Sequence, residues 1–311
     1  MKQPNSWTEY QIIASGGGEK LEKWGDMYLL RPDPQAIWAP AFDLSGFRML
    51  HGKYTRSAAG GGAWEYFKSV PDEWTVSYRN LKFIISPTNF KHTGLFPEQA
   101  VNWDRCAELI AGVGKRRGKD REDNFSNPAE GGSKVLNLFG YSGGATVAAA
   151  AAGANVTHVD ASRGMTDVCR RNVQLNKIPD DRVRYIVEDC AKFVAREIRR
   201  GKTYDAIIMD PPSFGRGANG EVWKIEAHLD NLVQLCCKLL SDKPLFFLIN
   251  SYTTGLQPTV MMNVLLTNLR RTGYEGKIRD IEAYEIGLHT LENITLPAGC
   301  STMATFKDGG K

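Results

Sequence analysis

The sequence predicts an α/β protein, a doubly wound parallel sheet preceded by a small β-rich region. Three observations carry this. From Lys134 onward, short apolar runs alternate with stretches of helical period, the pattern of a parallel sheet covered on both faces. Four successive runs close on a glycine or an acid, at Gly140, Asp160, Asp189 and Asp210. Residues 1–75 instead carry tryptophan, glycine and short alternating runs without a long helical period.

A chain of 311 residues, 42% apolar and 24% charged, can bury a full core and suits one large domain with a smaller companion. The expected division is 1–75, β-rich and available for substrate recognition, and 76–311, the larger domain, with a charged loop at 114–133. No run reaches the eighteen or so apolar residues of a membrane span. The N-terminal "MKQPNSWTEYQIIASGGGEK" also lacks the basic-then-apolar order of a secretory signal. A cytoplasmic protein with no membrane partner is the expectation. Cys106, Cys169, Cys190, Cys236, Cys237 and Cys300 show no CxxC or Cys/His spacing, and His51, His92, His158, His228 and His289 are dispersed. Neither a disulfide framework nor a metal site is expected. The net charge of +4 permits an anionic partner without requiring one.

In order along the chain, "DMYLLRPDPQAIW" and "HGKYTRSAAGGGAWEYF" read as short strands and turns. A strand over residues 81–85 leads through a Pro/Gly loop into a helix beginning near Pro97, which suits a first helical turn, with Glu98 at the positive end of the dipole. Residues 114–134 are polar, charge-dense and Gly-bearing, and read as a linker or mobile loop. Strands then read at "KVLNLF", "NVTHVD", "RVRYIVED", "DAIIMD", "PLFFLINS", "KIRDIEAYEI" and "STMATFK". Two helices show apolar faces, one with Leu229, Leu232, Val233, Cys236, Leu239 and Leu240, the other with Val260, Met261, Val264, Leu265 and Leu269. No helical pattern separates the last two strands, so they are expected to pair antiparallel at the end of the sheet.

The first strand runs into "GYSGGATVAAAAAGA". Such a turn lets backbone approach a ligand at a helix N-terminus, although Gly140, Gly143 and Gly144 do not follow the dinucleotide spacing, and a tight packing turn is the alternative. Asp160 ends the second strand, where a carboxylate can accept ribose hydroxyls. Asp189 ends the third and could equally cap the following helix. The fourth ends in "DPPSF": Asp210, then Pro211 and Pro212, which fix φ and donate no N–H, then Ser213 and Phe214. Phe214 reads either as a platform for a planar acceptor or as a residue packed inward.

Together "LNLFGYSGG", "VDAS", "NVQLNK", "VEDC" and "MDPPSF" resemble the class I S-adenosylmethionine-dependent methyltransferases. Within that class the sequence is most similar to bacterial 23S ribosomal RNA methyltransferases acting on cytosine C5 or guanine N7. The likeness runs over about residues 81–310, and "RPDPQAIW" is similar to a signature of the β-rich domain attached in this family. It implies a Rossmann-like seven-stranded methyltransferase sheet, with S-adenosyl-L-methionine as cofactor and RNA, ribosomal RNA foremost, as substrate.

The resemblance also implies roles for particular residues. The backbone around Phe139, Gly140, Tyr141 and Gly143 would line the methionine end of the cofactor. Asp160, followed by Ala161 and Ser162, would serve the ribose, and Asp189 with Cys190 the adenine. Asn137 stands where many relatives carry an acid. The loop "NFKHTGLFPEQ" is similar to a segment that closes over the cofactor and places Lys91, Thr93, Gly94, Phe96 and Gln99 there; His92 is inserted, and Glu98 replaces an aspartate. Asp210, Pro211, Pro212 and Phe214 would present the methyl acceptor, with Asp210 also near the cofactor.

Two departures bear on chemistry. Ser213 separates the prolines from the aromatic, unlike amino-methylating relatives. "NSYTTG", residues 250–255, has no cysteine where C5-methylating relatives place their nucleophile. Direct in-line transfer without a cysteine intermediate follows, with a ring nitrogen such as guanine N7 left open. Lys115, Arg116, Arg117, Lys119 and Arg121, and Arg196, Arg199 and Arg200, could meet phosphates or form solvated faces. The alternatives are a methyltransferase for a small molecule or protein, an NAD(P)-dependent oxidoreductase, and a non-catalytic cofactor-binding module.

Overall fold

A computed structural model describes residues 1–57, 61–88, 91–119, 131–216 and 222–307. Its contacts divide the chain into two units, Met1–Val101 with Ile286–Ala298, and Asn102–Glu285 with Gly299–Lys311. The boundary expected from composition, between 75 and 76, falls inside a strand of the first unit, Trp74–Tyr78.

The first unit is built on a five-stranded sheet, β1 (Tyr10–Gly16), β2 (Glu19–Trp24), β3 (Met27–Pro32), β4 (Gly52–Arg56) and β5 (Gly62–Tyr66), ordered as in the chain. A hairpin of β6 (Trp74–Tyr78) and β7 (Leu81–Ile85) follows. Ala14, Leu21, Leu30, Leu44 and Leu50 form its apolar core. Inside the sheet, Glu22 accepts from Arg31 Nε at 2.6 Å and from Tyr10 Oη at 2.7 Å. Arg31 Nη1 extends to the carbonyl of Lys91 at 2.7 Å, tying the loop after β7 to β3.

The second unit opens within α1 (Ala100–Lys119), at Asn102. This corrects the reading of residues 114–119 as linker. The helix is anchored by buried Trp103, Cys106 and Ile110, and Lys and Arg are good helix formers once a helix is nucleated. Residues 120–130 of that charged segment, Arg121 among them, lie outside the described residues. There follow β8 (Lys134–Leu138), α2 (Gly144–Ala151), β9 (Asn155–Asp160), α3 (Arg163–Leu175), β10 (Val183–Val187), α4 (Cys190–Arg199), β11 (Ala206–Met209), a small hairpin of β12 (Phe214–Arg216) and β13 (Val222–Lys224), α5 (Ile225–Cys237), β14 (Phe246–Ser251), α6 (Pro258–Arg271), β15 (Ile278–His289) and β16 (Thr295–Phe306).

Seven of these strands form one sheet ordered β10-β9-β8-β11-β14-β16-β15. The first five are mutually parallel, and β16 runs antiparallel to β14. Helices bury apolar stripes against it: Leu229, Leu232, Val233 and Cys236 of α5 and Met261, Leu265 and Leu269 of α6 share a core with Leu136, Ile207 and Phe247. Val260, read from the sequence as part of the α6 stripe, is instead exposed, because a step of about 100° per residue turns it off the 261–265 line.

Candidate active site

Strand register brings the predicted residues to one edge. Leu138 lies beside Val159 and Met209, and Met209 beside Ile249, so the next residues, Phe139, Asp160, Asp210 and Asn250, follow at neighbouring carboxyl ends. Strand order reverses between β8 and β11, and the crevice outside such a reversal is where open α/β sheets bind ligands. Gly140 N–H donates to the Val159 carbonyl at 3.1 Å and Asp210 N–H to the Leu138 carbonyl at 3.4 Å, extending the ladder to that edge.

The turn from β8 to α2 is unusual in its backbone. Phe139, Tyr141 and Gly143 have φ of 56°, 50° and 86°. Left-handed conformations cost the two non-glycine residues on the order of 1–2 kcal/mol each, so surrounding contacts must hold the turn. Asp160 supplies two: Oδ2 accepts from Tyr141 N–H and Oδ1 from Ser162 N–H, both at 2.8 Å. Asn172 on α3 donates to the Ser142 carbonyl at 2.9 Å. A carboxylate offers about four acceptor directions, which leaves Asp160 capacity for hydroxyl donors.

The glycines have packing reasons as well. A Cβ on Gly140 would stand 2.4 Å from the His158 imidazole, one on Gly143 2.2 Å from Cys169 Sγ, and one on Gly144 2.5 Å from the Trp103 ring. Under the turn lies a buried polar chain. Asn137 Nδ2 donates to Thr146 Oγ1 at 2.9 Å, and Thr146 Oγ1 meets His158 Nδ1 at 2.9 Å. Asn137 therefore points toward α2. Burial pushes the His158 pKa down to about 4, so its ring is neutral at physiological pH.

At the third strand end, Asp189 is exposed and accepts from Lys192 N–H at 2.9 Å, capping α4. One carboxylate oxygen serves the cap, and the other can serve a ligand. Cys190 is buried, its sulfur accepting from Phe139 N–H at 3.3 Å, and burial pushes its thiol up. Ala161 and Ser162 are exposed, and Ser162 Oγ caps α3.

In the Asp-Pro-Pro segment Asp210 is half-buried, Pro211 buried and Pro212 exposed. Phe214 opens β12 and is 53% exposed, which settles the choice between outward and inward in favour of an available ring. Trp223 Nε1 donates to the Pro212 carbonyl at 2.6 Å. Its ring lies 5.9 Å from that of Phe139 and stacks on His228 at 5.4 Å. Ser213 Oγ pairs with Thr253 Oγ1 at 2.7 Å, joining the motif to the loop after β14. Sequence reading missed Trp223, Asn172 and Thr253 as supports; each acts through a partner distant along the chain, which no local spacing reveals.

Lys91, Thr93, Gly94, Phe96 and Gln99 belong to the first unit and are described within it. Ser86 N–H donates to the Thr93 carbonyl and Thr88 N–H to the His92 carbonyl, both at 3.1 Å, and Gln99 N–H to the Phe96 carbonyl. Gly94 has φ of 92°. Burial, then the charges of Lys20 and Arg56, lower Lys91 to about 8. Burial, then those of Arg31 and Lys91, lower His92 to about 4. The ring of His92 stands 5.4 Å from Phe96.

The residues at the sheet edge fit a nucleoside-bearing sulfonium cofactor: a held backbone turn at a helix start, and two carboxylates at adjacent strand ends with acceptor capacity left. Among the described residues no group of three or more His, Cys, Asp or Glu is placed to hold a metal. No described helix is long and apolar enough to cross a membrane.

A family model described as S-adenosylmethionine-dependent methyltransferase matches residues 26–255. A solved S-adenosylmethionine-dependent methyltransferase from Agrobacterium tumefaciens is 31% identical, with 97% of this chain and 92% of that one covered and a TM-score of 0.82. Ribosomal RNA large subunit methyltransferase K of Neisseria meningitidis is 27% identical over 238 residues, 73% of this chain and 61% of that protein. Ribosomal RNA large subunit methyltransferase I of Shigella dysenteriae is 40% identical over 82 residues, 26% of this chain and 21% of that protein. The matched region thus spans about three fifths of the first of these curated relatives and about one fifth of the second.

Proposed function

Because this chain belongs to the S-adenosylmethionine-dependent methyltransferase family, we propose that it methylates a nucleobase in RNA, ribosomal RNA foremost, by direct in-line transfer. The observation that carries the reading is the alignment of Phe139, Asp160 and Asp210 at adjacent strand ends, with Asp160 clamping the strained turn through Tyr141 and Ser162. RNA as substrate is supported by the names of the ribosomal RNA methyltransferases that the chain is similar to.

S-adenosylmethionine, when bound, supplies a methyl group on a positively charged sulfur. The chain's residues then have to bind, orient and exclude water, since such a displacement depends chiefly on alignment. In this reading Asp160 binds the ribose, Asp189 the adenine edge, and the backbone of Phe139–Gly143 the methionine end. Asp210 and the Pro211 carbonyl accept from the acceptor's N–H groups where it has them, and exposed Phe214 stacks on its face. The first unit is assigned to substrate recognition, and Lys91, Thr93, Gly94, Phe96 and Gln99 to cofactor binding.

Transfer without a covalent thiol adduct is supported by the cysteines. All six are buried, and burial pushes every thiol up, Cys169 and Cys237 to about 12 and Cys300 to about 11. A thiolate nucleophile needs the opposite environment.

The test is incubation with methyl-labelled S-adenosylmethionine and separate total RNA, protein and metabolite fractions. Label is expected in RNA, on a nucleoside identified by mass spectrometry. Label confined to protein or metabolites overturns the substrate, and a trapped adduct with 5-fluorocytidine RNA overturns the mechanism.

A further inference from the structure

The segment "RPDPQAIW" ends at Trp38, and Trp38 lines a cavity of about 440 Å³ within the first unit, whose lining includes none of the residues assigned above. Its walls come from three places: Ser15 on β1, the Trp38–Ala41 segment after β3, and Glu292 and Ile294 in the turn between β15 and β16. All three are fixed by hydrogen bonds. Trp38 Nε1 donates to the Ser15 carbonyl at 2.8 Å, Gly17 N–H to the Trp38 carbonyl at 2.7 Å, and Leu291 N–H to the Ile12 carbonyl at 3.0 Å. Gly16 is needed where it stands, because a Cβ there would lie 2.5 Å from the backbone nitrogen of Pro40.

The pocket lining is aromatic and aliphatic with three polar side chains, Ser15, Glu292 and Thr295, and the Thr295 hydroxyl already accepts from Gln3 Nε2 at 2.8 Å. Glu292 is its single ionisable side chain; Oε2 accepts from Ser15 N–H at a long 3.4 Å, and Oε1 is buried with no hydrogen-bond partner among the described residues. The Ser15 hydroxyl, on a fully buried residue, has none either. Buried polar groups are ordinarily paired, and leaving them unpaired is costly. The cavity therefore asks for a flat apolar ligand with N–H donors for a carboxylate and an acceptor for a hydroxyl. A phosphate is excluded by the negative charge.

We propose that this pocket receives an unpaired guanine base of the RNA substrate, distinct from the base that accepts the methyl group. Guanine alone among the four bases carries two adjacent N–H donors, N1 and N2, beside a carbonyl oxygen. The donors match Glu292 and the carbonyl matches Ser15, while Trp38 supplies the kind of aromatic wall on which splayed bases rest. Adenine and cytosine pair one amino group with a ring nitrogen acceptor, and uracil flanks its N–H with two carbonyls, so each sets an acceptor against the carboxylate. A guanidinium side chain offers donors only and leaves the Ser15 hydroxyl without an acceptor. The proposal rests on RNA being the substrate, but its test reads binding and not transfer.

Calorimetry of the full chain saturated with S-adenosylmethionine, so that adenosine cannot report on the cofactor site, is carried out with guanosine, adenosine, cytidine, uridine and N-acetylarginine amide. Guanosine is expected to bind at least about tenfold more tightly than the other probes. Glu292→Ala should weaken it by about tenfold or more, with Glu292→Gln between the two, and both variants should keep wild-type affinity for S-adenosylmethionine. Equal binding of the nucleosides, no guanosine binding up to its solubility, or unchanged binding in Glu292→Ala overturns the proposal. Preference for N-acetylarginine amide overturns it in favour of a protein partner. If label from the transfer assay appears only in protein, the RNA reading fails separately, whatever guanosine does here.

Discussion

Trp223 Nε1 donates to the carbonyl of Pro212 across 2.6 Å, and the same indole lies 5.9 Å from the ring of Phe139. One side chain thus joins the acid-proline-proline segment to the turn that follows β8. Trp223→Phe keeps the ring and removes the donor. A single hydrogen bond contributes about 1 kcal/mol, so turnover should fall about fivefold while affinity for S-adenosylmethionine stays within about twofold. Steady-state kinetics beside calorimetry separates the two; an unchanged kcat would remove Trp223 as a positioning residue.

Asp160 is the residue whose loss should be felt in cofactor binding. Its carboxylate holds Tyr141 N–H and Ser162 N–H and would also accept the ribose hydroxyls. Asp160→Ala removes the clamp and the ligand contacts together, and charged hydrogen bonds contribute about 1.5–3 kcal/mol each. A Kd for S-adenosylmethionine raised by about tenfold or more is expected from calorimetry. Unchanged affinity would take Asp160 out of the site.

The strands, the sheet end and the acids at the strand ends were legible because continuous apolar runs and period-3.6 stripes are local signals. Two parts were not. The last hairpin reaches further than the sequence reading of 277–286 and 301–307, since β16 starts at Thr295 and contains Pro297 and Gly299, residues that ordinarily mark a turn. They are tolerated because the pairing of β16 with β14 begins only at Cys300. The glycine turn was legible as a turn, but its two meanings were not separable. Gly140 and Gly143 are needed against His158 and Cys169, so packing demands them and the backbone they free also faces the crevice.

That double role predicts an energetic coupling. Gly140 does not have a left-handed φ, so the penalty for Gly140→Ala comes from the His158 ring 2.4 Å from the new Cβ. Overpacking of this kind costs about 1–3 kcal/mol. In a His158→Ala background the ring is gone and the same substitution should cost under about 0.5 kcal/mol. Urea unfolding of the four proteins in the cycle reads the coupling directly. A coupling near zero would mean that the turn relaxes freely over the strand, contrary to the tight packing described.

His158 also sets a pH dependence. Its folded pKa is depressed by burial from 6.5 to about 4, so between those values the unfolded chain binds a proton that the folded chain does not. The stability contributed by the neutral ring is therefore complete above about pH 6.5, is lost progressively as pH falls toward 4, and changes no further below. The full amount is about 3 kcal/mol. Glu22 does not share this window: burial alone would raise it, but the Arg31 charge beside it brings it to about 2, so the stability tied to its ionised form is lost mainly below pH 4.5. Unfolding free energies measured from pH 7 to 4.5 should fall more steeply for the wild type than for His158→Asn, which keeps a polar side chain without a titrating ring. Parallel slopes would show that His158 accepts a proton in the folded protein as readily as in the unfolded one, and that the buried Asn137–Thr146–His158 chain opens to solvent under the turn from β8 to α2.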